Sequence, residues 1–255
     1  MNERAASNLI GFLLIFSLVA SVIAIVSVTG VDALNDVKRG EQVNNAERAF
    51  DVLADNMNDV HREGAPSRAT EISLQDAQID TSGFSTIEIH AWDPSGGDLE
   101  PNFTVNQTVN STVWESKEGR ETKIAYEFGA VVREQPDGGL IVRRPPIQWE
   151  EDRTIVPVVD TDAFRAGVSS GRTVRVRGIR QTPRIAYAGD GTIYTELWVN
   201  ITSPRADIWA EYLESRPGTD CTLSDAPGER DRVRCELDQR DELYVAVYPV
   251  TVNVE

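Results

Sequence analysis

The sequence predicts an α+β protein: a long N-terminal transmembrane helix, extended by an amphipathic helix, then a mainly antiparallel β-sandwich with one short helix. Three observations carry this prediction. They are an uncharged apolar run near the N-terminus, an apolar seam of helical period behind it, and a change to period-two alternation from Ala69 onward.

The apolar run comes first. No charged residue occurs from Ala5 to Val31, and its core NLIGFLLIFSLVASVIAIVSV is long enough to cross a bilayer, which takes ~20 residues. A cleaved secretory signal has an apolar region of only ~7 to 15 residues, and here the longer run leads straight into helix-forming sequence. Residues 5–31 are therefore read as a membrane helix and the lipid bilayer as its partner. Arg4 lies on one side and Lys38 and Arg39 on the other, so flanking charge leaves the orientation open.

Behind the run, Val43, Ala46, Phe50, Leu53, Met57 and Val60 are spaced 3, 4, 3, 4, 3, a narrow seam on one helix face. The seam is shorter than three heptads, which favours packing on the following domain over a free coiled coil. Gly64 and Pro66 end the helix, and Gly30 and Gly40 are points where it could bend or break. The amphipathic segment is assigned to residues 32–64 and the β-rich domain to 65–255.

From Ala69 the segments TEISLQDAQI, FSTIEIHAW, TKIAYEF, RTIVPVV, RTVRVRGI, TIYTELWVNI and LYVAVYPVTVNV alternate apolar or β-branched residues with polar ones. GAVVREQPDGGLIVRR has two short apolar runs around Pro136 to Gly139, a hairpin signal. The single helical interruption is SPRADIWAEYLES. There Ser203 is the expected cap, Pro204 the first helical residue, and Ile208, Trp209 and Tyr212 share a face.

The net charge of −16 falls on the part after Val31, and only Lys38, Lys117 and Lys123 are lysines. An acidic surface of this kind repels nucleic acid and anionic lipid. Dispersed carboxylates with scarce lysine resemble proteins of salt-loving archaea, in which salt screens the repulsion.

Sequons mark the compartment. Random order gives about 1.6 N-x-[ST] sites for this composition, whereas four are present, at Asn102, Asn106, Asn110 and Asn200. Three sit at a strict spacing of four in PNFTVNQTVNST. On a strand they share one face with Thr104, Thr108 and Thr112, and Phe103, Val105, Val109 and Val113 take the other. Glycosylation requires export, so the sequons place the large C-terminal part outside the cell. Trp198 shares the strand face of Asn200 and draws that residue toward the interior, which sets it apart from the other three.

Catalytic chemistry is thin. His61 and His90 read as structural or solvated, no hydrolase or phosphate-loop motif occurs, and no carboxylate pair can be singled out among 41 acids. The chain is accordingly read as a non-enzyme with no cofactor and no metal. The turns DPSGGD and AGDGT miss the EF-hand spacing. Cys221 and Cys235, 14 apart in an exported segment, favour a local disulfide over a zinc site, with two buried thiols as the alternative. Sugar recognition through Trp92, Trp114, Trp149, Trp198 or Trp209 is the binding chemistry left open.

The start NERAASNLIGFLLIFSLVASVIAIVSVTG resembles the N-terminus of haloarchaeal type IV pilin-like proteins, with Arg4, Ala5, Ala6, Ser7, Ile10 and Gly11 on the matching pattern. The continuation through SRATEISL, together with SPRADIWAEYLES, resembles an uncharacterised family of haloarchaeal envelope proteins. The resemblance implies a leader over residues 1–4 and cleavage between Arg4 and Ala5. It also implies a filament core of neighbouring pilin-like subunits, in which Gly11, Ser17, Ala20, Ser21 and Ala24 permit close helix approach around Leu14. The expected function is a membrane-anchored, pilin-like surface protein with a structural or adhesive role. The alternative is an anchored extracellular module that binds a sugar or surface ligand without polymerising.

Overall fold

The computed structural model describes residues 3–92, 103–117, 122–150, 153–163, 168–169, 173–188, 196–226, 230–237 and 242–255. No proline occurs before Pro66, and helix α1 runs unbroken over Glu3–His61 with Gly30 and Gly40 inside it. Its end is closed by Gly64 at φ 77, which lets the Ala65 N–H return to the Asp59 carbonyl at 3.0 Å.

The chain divides into two compact units, Met1–Asn44 and Asn45–Glu255. In the first, the described residues, from Glu3, are all helix. From Ile10 onward α1 is long and apolar enough to cross a membrane, and its apolar side chains are bare, Phe12 at 64% and Leu14 at 67% exposure. The second unit takes in the end of α1, where Ala46, Phe50, Leu53, Met57 and Val60 are all buried. From Ala46 on, the seam therefore packs on the sheets of this same unit. It comes close to the sheet at Gly178, where an added Cβ would lie 2.5 Å from Met57 Sδ. Arg143, bonded to Asp51 and Asp55, and Arg133, 3.4 Å from Glu47, anchor the helix flank.

Three sheets complete this unit. The first runs β1 (Ser67–Ser73), β12 (Thr173–Arg180), β17 (Glu242–Val254), β10 (Arg153–Ala163) and β9 (Gln148–Trp149), with β13 (Arg184–Ala188) also on β17. The second runs β11 (Val168–Ser169), β2 (Ala77–Asp80), β5 (Thr112–Ser116), β6 (Lys123–Glu127), β7 (Ala130–Gln135) and β8 (Gly138–Arg143). The third runs β15 (Thr219–Ala226), β16 (Arg230–Leu237), β14 (Glu196–Ser203), β3 (Phe84–Trp92) and β4 (Phe103–Asn110). Helix α2 (Ala206–Glu214) follows β14. One core joins them: Val245 and Val247 of the first sheet, Ala125 and Val132 of the second, Ile89 and Val199 of the third, and Trp209 of α2.

The class is α+β as expected, and the sheets are mostly antiparallel. Three details depart from the sequence reading. The run TEISLQDAQI is two strands, because Gln75 at φ 40 turns the chain from the first sheet into the second. β10 and β17 pair in parallel from Arg153 beside Glu242 to Ala163 beside Val252. Strand β10 is buried continuously over Val156–Val159, which suits a parallel ladder rather than alternation. Helix α2 starts at Ala206, not Pro204, and its N-cap Arg205 makes no side-chain cap bond. The predicted cap, Ser203, accepts the Arg205 N–H at 3.1 Å and donates its hydroxyl proton to Glu127.

Candidate functional site

The outer face of the third sheet gathers the chemistry. Inward residues Ile87, Ile89, Val105, Val109, Leu197 and Val199 alternate along β3, β4 and β14, so the polar residues between them are turned out. Register then sets the neighbours: Glu88 stands opposite both Asn106 and Asn200, and His90 opposite both Thr104 and Trp198. Asn106 donates from Nδ2 to Glu88 Oε1 at 3.2 Å, and Asn200 donates to Glu88 Oε2 at 3.3 Å. Two sequons 94 residues apart thus flank one carboxylate, about 10 Å from each other across two strand spacings.

Among the sequence-named asparagines, Asn106 is exposed. Asn110 is half-buried, its Oδ1 accepting from the Ala163 N–H at 3.1 Å and its Nδ2 facing the Gly83 carbonyl at 3.5 Å. Asn102 lies outside the described residues, as do the turns at 93–98 and 189–192. Asn200 and Trp198 point outward and are half-buried, so Trp198 does not carry Asn200 into the core. On the opposite face Val105 and Val109 are buried, while Phe103 is half-buried against Tyr187, ring to ring 4.2 Å.

The tryptophans separate. Trp114 and Trp209 are core, Trp149 is half-buried, and Trp92 and Trp198 sit together on the outer face with ring centroids 4.5 Å apart. His90 places Nδ1 3.2 Å from Thr104 Oγ1 and Nε2 3.8 Å from Glu88. His61 is buried at the end of α1, its Nδ1–H donating to the Met57 carbonyl at 2.7 Å and its ring edge-on to Tyr248. Burial pushes its pKa below the ordinary 6.5 and Arg62 adds to this, against the opposing Met57 bond. No group of three metal-ligating side chains occurs among the described residues.

Cys221 and Cys235 stand directly opposite on β15 and β16 and are bridged. At the other end of the chain Arg4 and Ala5 lie in the first turns of α1, and Leu14, Ser17, Ala20, Ser21 and Ala24 are exposed along it, with Gly11 half-exposed.

One constellation was not marked by the sequence. Glu127, with no exposed surface, ends β6 ahead of a turn in which Phe128 and Gly129 both take positive φ. Its Oε2 accepts from Arg205 Nη2 at 2.6 Å, Arg205 Nε at 3.1 Å and Ser111 Oγ at 2.9 Å. Its Oε1 accepts from Ser203 Oγ and Trp209 Nε1, both at 2.8 Å. Burial raises the carboxyl pKa, but the Arg205 charge and the Arg205, Ser203 and Ser111 bonds outweigh it and hold the group below the usual range. Every lone pair is occupied, so this is a rivet joining the second sheet, the third sheet and α2, with no room for a substrate.

These features define a class: an α+β protein with an N-terminal helix fit to span a membrane, a disulfide-bridged β-rich unit and a polar outer sheet face. Residues 4–253 match DUF7289, a family of unknown function, and the chain belongs to it. No curated protein and no solved structure matches the chain.

Proposed function

We propose that the chain is a membrane-anchored, pilin-like cell-surface protein with a structural or adhesive role, its β-rich unit outside the cell. The observation that supports this reading most is the pairing of a bare apolar helix from Ile10 with a β-rich unit that carries a cross-strand disulfide. Bare apolar side chains call for lipid or neighbouring helices, and disulfides persist in oxidising compartments. The polar face with Asn106 and Asn200 is the place for glycans, which would keep that side of the sheet in water.

In the filament form of this reading, the chain is cut between Arg4 and Ala5 and the helices bundle around Leu14. The second reading, a non-polymerising module that binds a sugar, is favoured by the Trp92 and Trp198 pair on the outer face. The N-terminal residue of the mature protein, with its sedimentation in gentle detergent, separates them. Ala5 on a large assembly supports the filament subunit, and Met1 on a monomer supports the module.

A further inference from the structure

The outer face of the third sheet is divided by charge. On β16 the outward residues are Arg230, Arg232, Arg234 and Glu236, so that three arginines form a column with steps of about 7 Å that ends at an acid. The residues directly across from Arg232 and Arg234 are uncharged, Ser224 and Thr202 at Arg232 and Thr222 and Asn200 at Arg234, and the acids Glu236 and Asp220 follow one step beyond Arg234. On a chain of net charge −16 this is a local inversion of sign.

Arg232 and Arg234 make no ion pair among the described residues. Arg232 Nε donates to Thr202 Oγ1 at 3.3 Å, and the Arg234 guanidinium carbon lies 3.0 Å from the centre of the Trp198 ring. A stacked guanidinium uses its face, while its N–H donors lie in the plane and can still fork onto a carboxylate. Beside them Arg230 stacks on Phe84, which is 46% exposed.

The complement is on α2. Asp207, Glu211 and Glu214 fall at i, i+4 and i+7, all exposed and in no ion pair among the described residues, while Ile208, Trp209, Tyr212 and Leu213 are buried on the other face. Like charges at this spacing destabilise a helix, so packing alone does not account for the stripe. An open groove of ≈ 380 Å³ between the β7–β8 hairpin and α2 adds Asp137 and the exposed Leu140 beside Glu211, and Arg133, paired with Glu47, also lines it. The acids span ~10 Å of helix and the arginines ~14 Å of strand, a difference that flexible side chains absorb.

The two sets cannot meet within one chain. α2 packs with Val233, Cys235 and Leu237 on the inner side of β16, and the arginines stand on its outer side. We propose that the Arg232 and Arg234 column of one copy receives Asp207 and Glu211 of a second copy, a head-to-tail contact between β-rich units. Such a contact uses two different surfaces, so it repeats into an open chain or a ring rather than stopping at a dimer. It rests on the surface-assembly reading above and names a second contact for it, outside the membrane helix.

The test uses the full chain in detergent micelles, followed by sedimentation at about 1 M salt. There the screening length of ~3 Å removes long-range repulsion between acidic copies and leaves contact pairs. Two double variants are made, R232E with R234E and D207R with E211R, each checked for a wild-type near-ultraviolet spectrum. Each alone should associate about 100-fold more weakly, because like charges then face each other. Mixed one to one they should recover as an alternating assembly, since every contact between the two different variants pairs opposite signs. Wild-type association of either variant, or two folded variants that fail to recover on mixing, would overturn the contact. The milder pair R232Q with R234Q, which only removes charge, should weaken association less than reversal does. Leu14→Arg separates this contact from the helix bundle. Association lost only with Leu14→Arg overturns the strand–helix contact and keeps the filament reading. Association lost only with the charge reversals supports the contact and removes the bundle.

Discussion

Replacing Glu127 by Gln tests how the sheets and α2 are joined. The substitution keeps the shape and removes the charge, leaving Arg205, only 5% exposed at its side chain, with Glu134 at 3.5 Å as its remaining carboxylate. It also turns an amide NH₂ toward donors at Ser111, Ser203, Trp209 or Arg205, which no rotamer satisfies together. Breaking one side of a buried ion pair destabilises by about 3–5 kcal/mol, against a total of ~5–15 kcal/mol for a domain. For a unit of this size each kcal/mol moves Tm by about 2–4 °C, so a fall of roughly 10 °C is expected. The assay is thermal unfolding followed by near-ultraviolet circular dichroism, where Trp209 reports directly. The double variant Glu127→Gln with Arg205→Met removes the stranded cation and should recover part of the loss. A Tm for Glu127→Gln within 2 °C of wild type would refute the reasoning. The sign with pH follows: the folded carboxyl is held below its ordinary 4.5, so its contribution is full above that value and is lost as pH falls beneath it.

Further outcomes follow from other groups. Because the folded pKa of His61 lies below 6.5, the unfolded chain takes up the proton first, and unfolding free energy should decline as pH drops below 6.5. In His61→Phe that slope should vanish between pH 5 and 6.5, and an unchanged slope would assign it to another group. Opening the Cys221–Cys235 bridge, which closes a 15-residue loop, should lower stability by about 3 kcal/mol in denaturant titration, with no change in the spectrum of the folded state. Glycopeptide mapping of protein from the native host should find Asn106 occupied and Asn110 bare, because Asn106 is exposed whereas Asn110 is half-buried with its amide held by Ala163 and Gly83. Occupancy at Asn110 alone would reverse that ranking.

Much of the fold is written in local periodicity. The uncharged run to Val31, the 3-4 seam ending at Val60, the turn between Gln135 and Gly138 and the apolar face of α2 each need only a few consecutive residues, and each is present. The Cys pair was legible because both residues sit in one hairpin. What was illegible depends on distant partners. Glu127 in KIAYEF looks like any polar residue of a strand, and the four side chains that hold it are 16 to 82 residues away. The same distance effect hid the shared face of Asn106 and Asn200, which exists only because β3 pairs with both β4 and β14. The start of α2 falls two residues beyond Pro204, although Ser203 Oγ does accept the Arg205 N–H at 3.1 Å while its hydroxyl donates to Glu127. The parallel β10–β17 pair had a signal, the continuous apolar run in RTIVPVV, which reads as a ladder buried on both faces.

Protease added to intact cells of the native host tests surface display most directly. Peptides from the β-rich domain, 65–255, should be released into the medium, while the apolar segment around Phe12 to Val26 stays with the membrane or filament fraction. Full protection of the β-rich unit in intact cells, with cleavage only after lysis, would contradict it.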